Sequence, residues 1–172
     1  MPTHFSRCTT DEDFARASLF VIERKRDLHP SFTTLDAVAF LYDYLTQGHL
    51  VQVVDTADNR IVAVSAYYHG SPERQFEDKD VAFIDLALAD RSSRGTRVFV
   101  NGLRDLADHI AERHPDVDEL RFAARADNAY IRNLYAKFST ESYTREGTVG
   151  EEVVFCVKIN RLRSMLSRYA KV

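Results

Sequence analysis

Three arginines within seven residues, Arg91, Arg94 and Arg97, are the side chains of this sequence best suited to bind a charged ligand. They stand where a strand ends and a helix begins. A helix N-terminus carries the positive end of the helix dipole, so cations there are unfavourable unless they reach solvent or pair with an anion. Backbone N–H groups at such a turn bind phosphate readily. The pattern predicts recognition of a phosphorylated ligand; the alternative is a solvated basic turn that only caps its helix with Ser92 or Ser93.

The remaining residues of this turn suit the same chemistry. Gly95 permits a close backbone approach or an unusual φ. The hydroxyl groups can cap a helix or donate to phosphate oxygens, and the guanidinium groups supply charge-assisted contacts to an anion. We call residues 91–97 the arginine turn, and its predicted binding residues are Arg91, Ser92, Ser93, Arg94, Gly95, Thr96 and Arg97.

A strand and a helix position the arginine turn. The almost uninterrupted apolar run Val81–Leu88 predicts a strand that is covered on both faces. Apolar residues at helical spacing over Phe99–Arg113 predict an amphipathic helix that stops at His114-Pro115. The turn is therefore expected between a buried strand and a surface helix.

The rest of the chain predicts an α/β fold. Thr10 and Asp13 form a capping box that opens a helix ending before His29-Pro30. The predicted order is β-α-α-β-β-β-α-β-α-β-β plus a short C-terminal helix, with a mixed central sheet of about seven strands and helices on both faces. The other predicted elements are strands at Phe5–Cys8, His49–Asp55, Arg60–Tyr68, Val117–Ala124, Glu141–Glu146 and Glu152–Ile159, and helices from Thr33 or Thr34 to Gln47, at Asp127–Phe138 and at Arg161–Tyr169.

A second segment, Asn128–Lys137, carries a further sequence pattern. The arginine turn, this segment and the order of the elements together resemble the GNAT acetyltransferase superfamily, and the resemblance is best from Val81 to about Arg145. In that family the turn reads Gln/Arg-x-x-Gly-x-Gly/Ala and the later segment reads Asn-x-x-Ala-x-x-Leu-Tyr-x-Lys-x-Gly-Phe. Residues at the matching spacings of the later segment are Asn128, Leu134, Tyr135 and Lys137.

The sequence departs from this pattern at the turn. If Arg91 takes the first motif position, Arg94 and Thr96 replace the two glycines. If Ser92 takes it, Gly95 matches the first glycine and Arg97 replaces the second. Farther along, Ile131 stands where a small residue is usual, and Ser139-Thr140 replaces Gly-Phe.

The resemblance implies acetyl-CoA as co-substrate, with its pyrophosphate held by the amides of the arginine turn. It also implies that a backbone N–H of Leu86, Ala87 or Leu88 polarises the thioester carbonyl, and that pantetheine pairs there like an extra strand. Asn128 is assigned to coenzyme binding by the same motif match.

Tyr135 matches the family's usual proton donor to the coenzyme thiolate. A phenol with an ordinary pKa of about 10 suits that role. The alternative is a core tyrosine, because Tyr135 shares one apolar helical face with Ile131, Leu134 and Phe138.

Two carboxylates are candidates for the general base. Asp80 lies at the start of the strand, where some members of the family place a carboxylate base. Asp85 lies inside the strand between Ile84 and Leu86, and burial would raise its pKa toward a useful value. The alternative for Asp80 is a solvated loop end, and for Asp85 a structural ion pair with an arginine.

Composition limits the class of protein. A length of 172 residues fits one domain, expected over residues 1–172 with residues 160–172 as a C-terminal helical extension. The net charge of −3 argues against bulk nucleic-acid binding. Two cysteines and six histidines show no metal-ligand spacing, so we expect no metal. No segment has the pattern of a membrane span or signal peptide, which predicts a cytoplasmic protein. The basic 161–171 tail is typical of a packing element or of a homodimer contact rather than of a membrane helix.

These observations predict an acetyl-CoA-dependent N-acetyltransferase. It would move the acetyl group to a primary amine of a small molecule or a protein by direct transfer, without a covalent enzyme intermediate or a metal. The alternative is a non-catalytic CoA-binding regulatory or interaction module of the same fold, supported by the altered turn and the missing Gly-Phe. A third hypothesis is a structural subunit with the turn unoccupied.

Overall fold

The computed structural model describes residues 2–94 and 97–169, which form the predicted mixed α/β fold. One seven-stranded sheet has the strand order β1-β2-β3-β4-β5-β7-β6. Its strands are β1 (Thr3–Arg7), β2 (His49–Asp55), β3 (Arg60–His69), β4 (Val81–Ala89), β5 (Glu119–Arg125), β6 (Glu141–Gly147) and β7 (Gly150–Lys158). The helices of the described residues are α1 (Asp11–Glu23), α2 (Lys25–Leu28), α3 (Thr34–Gln47), α4 (Val98–Arg113), α5 (Ala129–Ala136) and α6 (Ile159–Tyr169).

The sheet is mixed, as the sequence predicts. β4 pairs in parallel with β5, with the register running from Val81 opposite Glu119 to Ile84 opposite Phe122. The pairs β1–β2, β2–β3, β5–β7 and β6–β7 are antiparallel. A parallel pair needs a crossover connection, and α4 supplies it between β4 and β5.

The chain divides into two compact units. The first comprises Met1–Tyr67 and Leu86–Gly102, and the second comprises Tyr68–Asp85 and Leu103–Val172. A single domain over the whole chain therefore stays a prediction, and the two units are described separately.

The first unit holds two helices that begin at capping boxes. The Thr10 hydroxyl accepts from the Asp13 N–H at 3.1 Å, and the Asp13 carboxylate accepts in return from the Thr10 N–H. Thr33 and Asp36 repeat this arrangement at the start of α3. Each box satisfies N–H groups that have no partner inside the helix, which explains why α1 begins where the sequence predicts.

The prediction of one continuous first helix is wrong, because the helix is interrupted at Arg24. There the backbone leaves helical geometry, with φ −110° and ψ 12°, so α1 ends at Glu23 and a separate short helix, α2, begins at Lys25. The Arg24 guanidinium lies 4.0 Å above the Phe20 ring and donates to Asp90 at 3.2 Å. Asp90 lies 66 residues away in sequence, so no local pattern could reveal this break.

The second unit has a core of aliphatic and aromatic side chains. Val81–Ile84 are buried without interruption, as predicted for a strand covered on both faces. Tyr135 of α5 lies 5.0 Å from the Phe122 ring and 6.1 Å from the Phe155 ring, measured between centroids. Leu162 and Leu166 place the apolar stripe of α6 in this core, since both are fully buried.

Two glycines illustrate different local constraints. Gly70 has φ +101°, and a Cβ there would lie 2.6 Å from the backbone of Phe76, so only glycine fits. Gly102 lies inside α4, where a Cβ would meet only the Val53 side chain at 3.8 Å. Gly70 is therefore required by the fold, whereas Gly102 is not.

Candidate functional site

The arginine turn begins directly after β4. Residues Arg91–Ser93 form a short 3₁₀ turn, and α4 begins at Val98. Ser93 therefore lies five residues before the first residue of α4. Gly95 and Thr96, two of the predicted binding residues, lie outside the described residues.

Asp27 of α2 pairs with both arginines that precede the undescribed residues. Its Oδ1 accepts from Arg91 Nη2 at 2.5 Å and from Arg91 Nε at 3.1 Å. Its Oδ2 lies 3.4 Å from Arg94 Nη2. The hydrogen bond to Asp27 and the charge of its carboxylate raise the pKa of Arg91, which stays cationic. The turn therefore already binds a carboxylate, which is one class of anion.

Asp90 is a second carboxylate at this turn. It accepts from the Ser92 hydroxyl at 2.5 Å and pairs with Arg24 and Arg60 at 3.2 Å each. The hydrogen bond from Ser92 and the two arginines hold the pKa of Asp90 below its ordinary value. Ser93 is fully buried, and its N–H donates to the Asp90 carbonyl. Asp90 thus stabilises the conformation of the turn.

A cleft of about 410 Å³ lies beside the turn. Charged side chains of both signs line it, among them Arg24, Asp27, Asp90 and Arg91. All of these belong to the first unit. The sequence pattern did not indicate that Arg24 and Asp27 lie at the arginine turn, because both residues are far from it in the sequence.

The side chains of the strand segment Leu86–Leu88 alternate in burial. The side chains of Leu86 and Leu88 are buried, while that of Ala87 is half-buried. Asp90, just beyond the strand, donates its N–H to the Val62 carbonyl at 2.8 Å. The predicted role of these backbone amides toward a thioester stays a prediction.

Tyr135 is a buried residue with 4% of its surface exposed. Burial raises its pKa, so the phenol is fully protonated at neutral pH. The aromatic rings of Phe122 and Phe155 pack around it, in agreement with the core position considered as the alternative. A protonated phenol is also the form that a proton donor requires, and the two interpretations therefore remain compatible.

Asn128 is the N-cap of α5. Its side-chain carbonyl accepts from the Ile131 N–H at 3.2 Å. The motif position thus has a structural use in starting the helix that carries Tyr135. Its assignment to coenzyme binding stays a prediction.

The two candidate bases have different surroundings. Asp80 is exposed, and its backbone carbonyl accepts from the N–H groups of Asp118 and Glu119. Asp85 is half-buried, and its carboxylate pairs with Arg145 Nη2 at 3.3 Å. The ion pair with an arginine, which we considered for Asp85 from sequence, is therefore present.

Arg145 of β6 gathers three carboxylates, a cluster that sequence reasoning missed. It pairs with Asp85, with Glu152 at 2.9 Å and with Glu73, and its guanidinium lies 4.5 Å from the centre of the Phe83 ring. Burial alone would lower the pKa of Arg145, but the hydrogen bonds and charges of Glu73 and Glu152 raise it. Arg145 therefore holds the carboxylate of Asp85 in place.

A histidine pair forms another polar cluster of the second unit. The rings of His69 and His114 lie 4.2 Å apart between centroids. His69 Nε2 contacts the Lys79 carbonyl at 2.9 Å and Asp116 Oδ1 at 3.3 Å. Burial, and then the neighbouring His69, lower the pKa of His114 to about 4. His114 is therefore neutral at physiological pH.

The predicted site residues divide between the two units. Arg91–Arg94 and Leu86–Leu88 belong to the first unit, whereas Tyr135, Asn128 and the two candidate bases belong to the second. Across residues 2–94 and 97–169, no group of three or more His, Cys, Asp or Glu side chains could hold a metal ion. No helix within that part of the chain is both long and apolar enough to cross a membrane.

Comparison with known proteins gives matches in structure only. No protein-family model and no curated protein matches the chain by sequence. An aminoglycoside acetyltransferase solved with coenzyme A and kanamycin is similar at TM-score 0.71 and 17% identity, over 95% of this chain and 98% of that chain. The ribosomal-protein-S18-alanine N-acetyltransferase of Escherichia coli is similar at TM-score 0.66 and 18% identity, over 92% and 94% of the two chains.

A GNAT-family acetyltransferase of Staphylococcus aureus is similar at TM-score 0.69 and 9% identity, over 92% of this chain and 99% of that chain. Sequence identity is low in all three cases, and what they share with this chain is the arrangement of helices and strands. The protein therefore has the fold of the GNAT acetyltransferases, as its sequence motifs and element order predict.

Proposed function

We propose that this protein is an acetyl-CoA-dependent N-acetyltransferase. The observation that carries the proposal is the similarity, over nearly the full length of both chains, to an acetyltransferase solved with coenzyme A, combined with an arginine turn that pairs with an anion. The fold alone does not decide activity.

Arg91 and Arg94 supply the cationic part of a pyrophosphate site. Their guanidinium groups already engage the two oxygens of one carboxylate, Arg91 by hydrogen bonds to Oδ1 and Arg94 by an ion pair with Oδ2, and phosphate oxygens accept charge-assisted contacts of the same kind. The Ser92 hydroxyl lies close by and donates to Asp90 at 2.5 Å, which holds the turn in shape. This set of donors fits the pyrophosphate of CoA, which is the co-substrate we assign to the turn.

Acetyl transfer to an amine requires two proton movements. The amine nitrogen attacks the thioester carbonyl carbon, the C–S bond breaks, the amine loses a proton to a base, and the departing thiolate gains a proton from an acid. We assign the acid to Tyr135, because its place in the sequence matches the family's usual proton donor and burial keeps its phenol protonated at neutral pH. A backbone N–H within Leu86–Leu88 would polarise the carbonyl.

The general base is assigned to Asp85 or to Asp80, and the surroundings of these two carboxylates differ. Asp85 is held in place by its ion pair with Arg145. Asp80 is exposed to water and could accept the proton through a water molecule. Their variants, described below, separate the two assignments.

The acceptor is proposed to be a primary amine of a small molecule or a protein. Structural neighbours are described by their names as acting on aminoglycosides and on the alanine of a ribosomal protein, which supports both classes. A cytoplasmic location and a homodimer belong to the same proposal.

Isothermal titration with acetyl-CoA and with CoA tests the first step of the proposal. Absence of binding at millimolar ligand would contradict it. If CoA binds, a panel of small amines and of peptides with free N-termini, followed by release of the coenzyme thiol, tests catalysis. Binding of CoA without thiol release on any acceptor would instead support the non-catalytic module.

A matched pair of variants tests the phosphate assignment. Arg94→Ala should weaken CoA binding about three- to tenfold, as expected for one lost charge-assisted contact, and the loss should shrink at high salt. Arg104→Ala removes the same charge from α4 outside the turn and should leave the affinity nearly unchanged. Equal affinities for the two variants would contradict the assignment.

A further inference from the structure

Asp27 occupies the position of an anion at the arginine turn. Its side chain is only 9% exposed, and each of its two oxygens faces a different arginine of the turn. Arg91 donates to Oδ1 through two nitrogens, and Arg94 approaches Oδ2. One carboxylate thus bridges the two guanidinium groups in the way that a phosphate group would.

The second carboxylate at the turn has different partners. Asp90 pairs with Arg24 and Arg60 and accepts from Ser92, so it is bound to the framework around the turn. The two carboxylates therefore have separate tasks. Asp90 stabilises the turn itself, whereas Asp27 reaches the turn from a different segment, the short helix α2.

We propose that Asp27 is an internal competitor of the coenzyme: its carboxylate occupies Arg91 and Arg94 until the phosphates of CoA replace it. This inference rests on the proposed function. A ligand that binds only when Asp27 has left has its apparent affinity reduced by the fraction of molecules in which the arginines are available. Asp27 therefore sets the affinity for the coenzyme without contacting the reacting atoms.

The exchange links the coenzyme to the segment that precedes α3. Asp27 is part of the four-residue helix α2, whose neighbour Arg24 is held separately by Asp90. Displacing the carboxylate removes the contact of α2 with the turn, while Arg24 keeps the end of α1 in place. Coenzyme binding should therefore change the conformation of residues 25–30.

Asp27→Asn tests the proposal, because the amide keeps the size of the side chain and removes its charge. The variant should bind CoA about three- to tenfold more tightly, as expected when one or two partly exposed ion pairs no longer compete. Its affinity should also fall more steeply with salt. In the variant, anions from the solution bind to Arg91 and Arg94 and must be released when CoA binds, so added salt weakens CoA binding. In the unchanged protein the Asp27 carboxylate occupies these arginines instead, so fewer solution anions are released.

Glu23→Gln is the matched control. Glu23 is an exposed carboxylate four residues before Asp27, and it pairs with Arg24 rather than with the arginines of the turn. Titration with CoA at low and high salt should give an affinity for this variant within about twofold of the unchanged protein, because Glu23 lines the same cleft but its exposed carboxylate pairs with Arg24. Asp27→Ser provides a second test should the asparagine variant lower the unfolding temperature.

The outcomes separate this inference from the proposed function. If the unchanged protein binds CoA and Asp27→Asn binds no more tightly than Glu23→Gln, or weaker, the carboxylate positions the arginines and the competition is refuted, while the proposed function stands. If neither the unchanged protein nor the variants bind CoA at millimolar concentration, both are refuted. Tighter binding with a steeper salt dependence supports the competition.

Discussion

Replacing His114 by Gln should make the protein less sensitive to acid. His114 lies at the end of α4, buried beneath the surface, and its pKa is lowered to about 4 by burial and by the adjacent His69. The other groups that act on it are Arg113 and His109, which also lower the pKa, and Asp116, which raises it. In the unfolded chain a histidine titrates near pH 6.5.

The sign of the effect follows from these two values. Between pH 6.5 and 4 the unfolded chain binds a proton that the folded protein does not, so the free energy of unfolding decreases as the pH falls. The stability that neutral His114 contributes is complete above pH 6.5. It is lost progressively down to about pH 4, where the folded protein also becomes protonated.

The loss of unfolding free energy caused by His114 has an upper limit. A pKa lowered from 6.5 to about 4 corresponds to a loss of about 2.5 kcal/mol at pH 4.5, at roughly 1.4 kcal/mol per pH unit. His114 lies close to the surface, where water and small movements of the chain stabilise the charged ring, so we expect on the order of 1–2 kcal/mol. That amount is a substantial part of the stability of a protein of this size.

Urea unfolding at pH 7.5 and at pH 4.5 measures the effect. The acid-induced loss of unfolding free energy should be about 1–2 kcal/mol smaller in His114→Gln than in the unchanged protein. His4→Gln, which alters an exposed histidine of β1, should follow the unchanged protein at both pH values. If His114→Gln also follows the unchanged protein, then His114 is not buried as a neutral ring, and the reasoning is refuted.

Four further predictions concern catalysis and the backbone. Tyr135→Phe should lower turnover about 100-fold with little change in CoA affinity, because it removes only the acidic hydroxyl; equal turnover in steady-state assays would exclude the assigned role. Asp85→Asn and Asp80→Asn, compared in the same assay over pH, should differ at least tenfold in kcat, with the larger loss identifying the base; similar, small losses would exclude both. Gly70→Ala should destabilise the protein by about 2–4 kcal/mol in urea unfolding, because the left-handed φ and the contact with the Phe76 backbone exclude a side chain. Gly102→Ala in α4 should instead stabilise it by about 0.5–1 kcal/mol, and a loss there would contradict the unstrained contact with Val53 at 3.8 Å.

Much of the fold could be predicted from sequence because the signals are local. Capping boxes span four residues, and the Thr10 box places the start of α1 correctly. The apolar run of β4 predicts a buried strand, and the element order predicts the mixed sheet that the structure has. The break at Arg24 was missed, since its partner Asp90 lies 66 residues away.

The candidate site was only partly predictable for the same reason. Tyr135 is predicted by the motif match of its segment, and the arginines of the turn are predicted by their clustering at a helix start, since each of these signals lies within a few residues. The partners of those residues come from distant segments. Asp27 is 64 residues from Arg91, and Arg145 is 60 residues from Asp85.

The sequence by itself thus determined the order of helices and strands and the types of residue at the turn, because hydrophobic periodicity and capping act over one or two turns of chain. Only the tertiary structure decided which charges meet. It pairs the arginines with Asp27, places Asp85 beside Arg145 and surrounds Tyr135 with aromatic rings. Ion pairs and burial depend on distances of a few ångströms between segments far apart in the chain, and those distances exist only once the chain has folded.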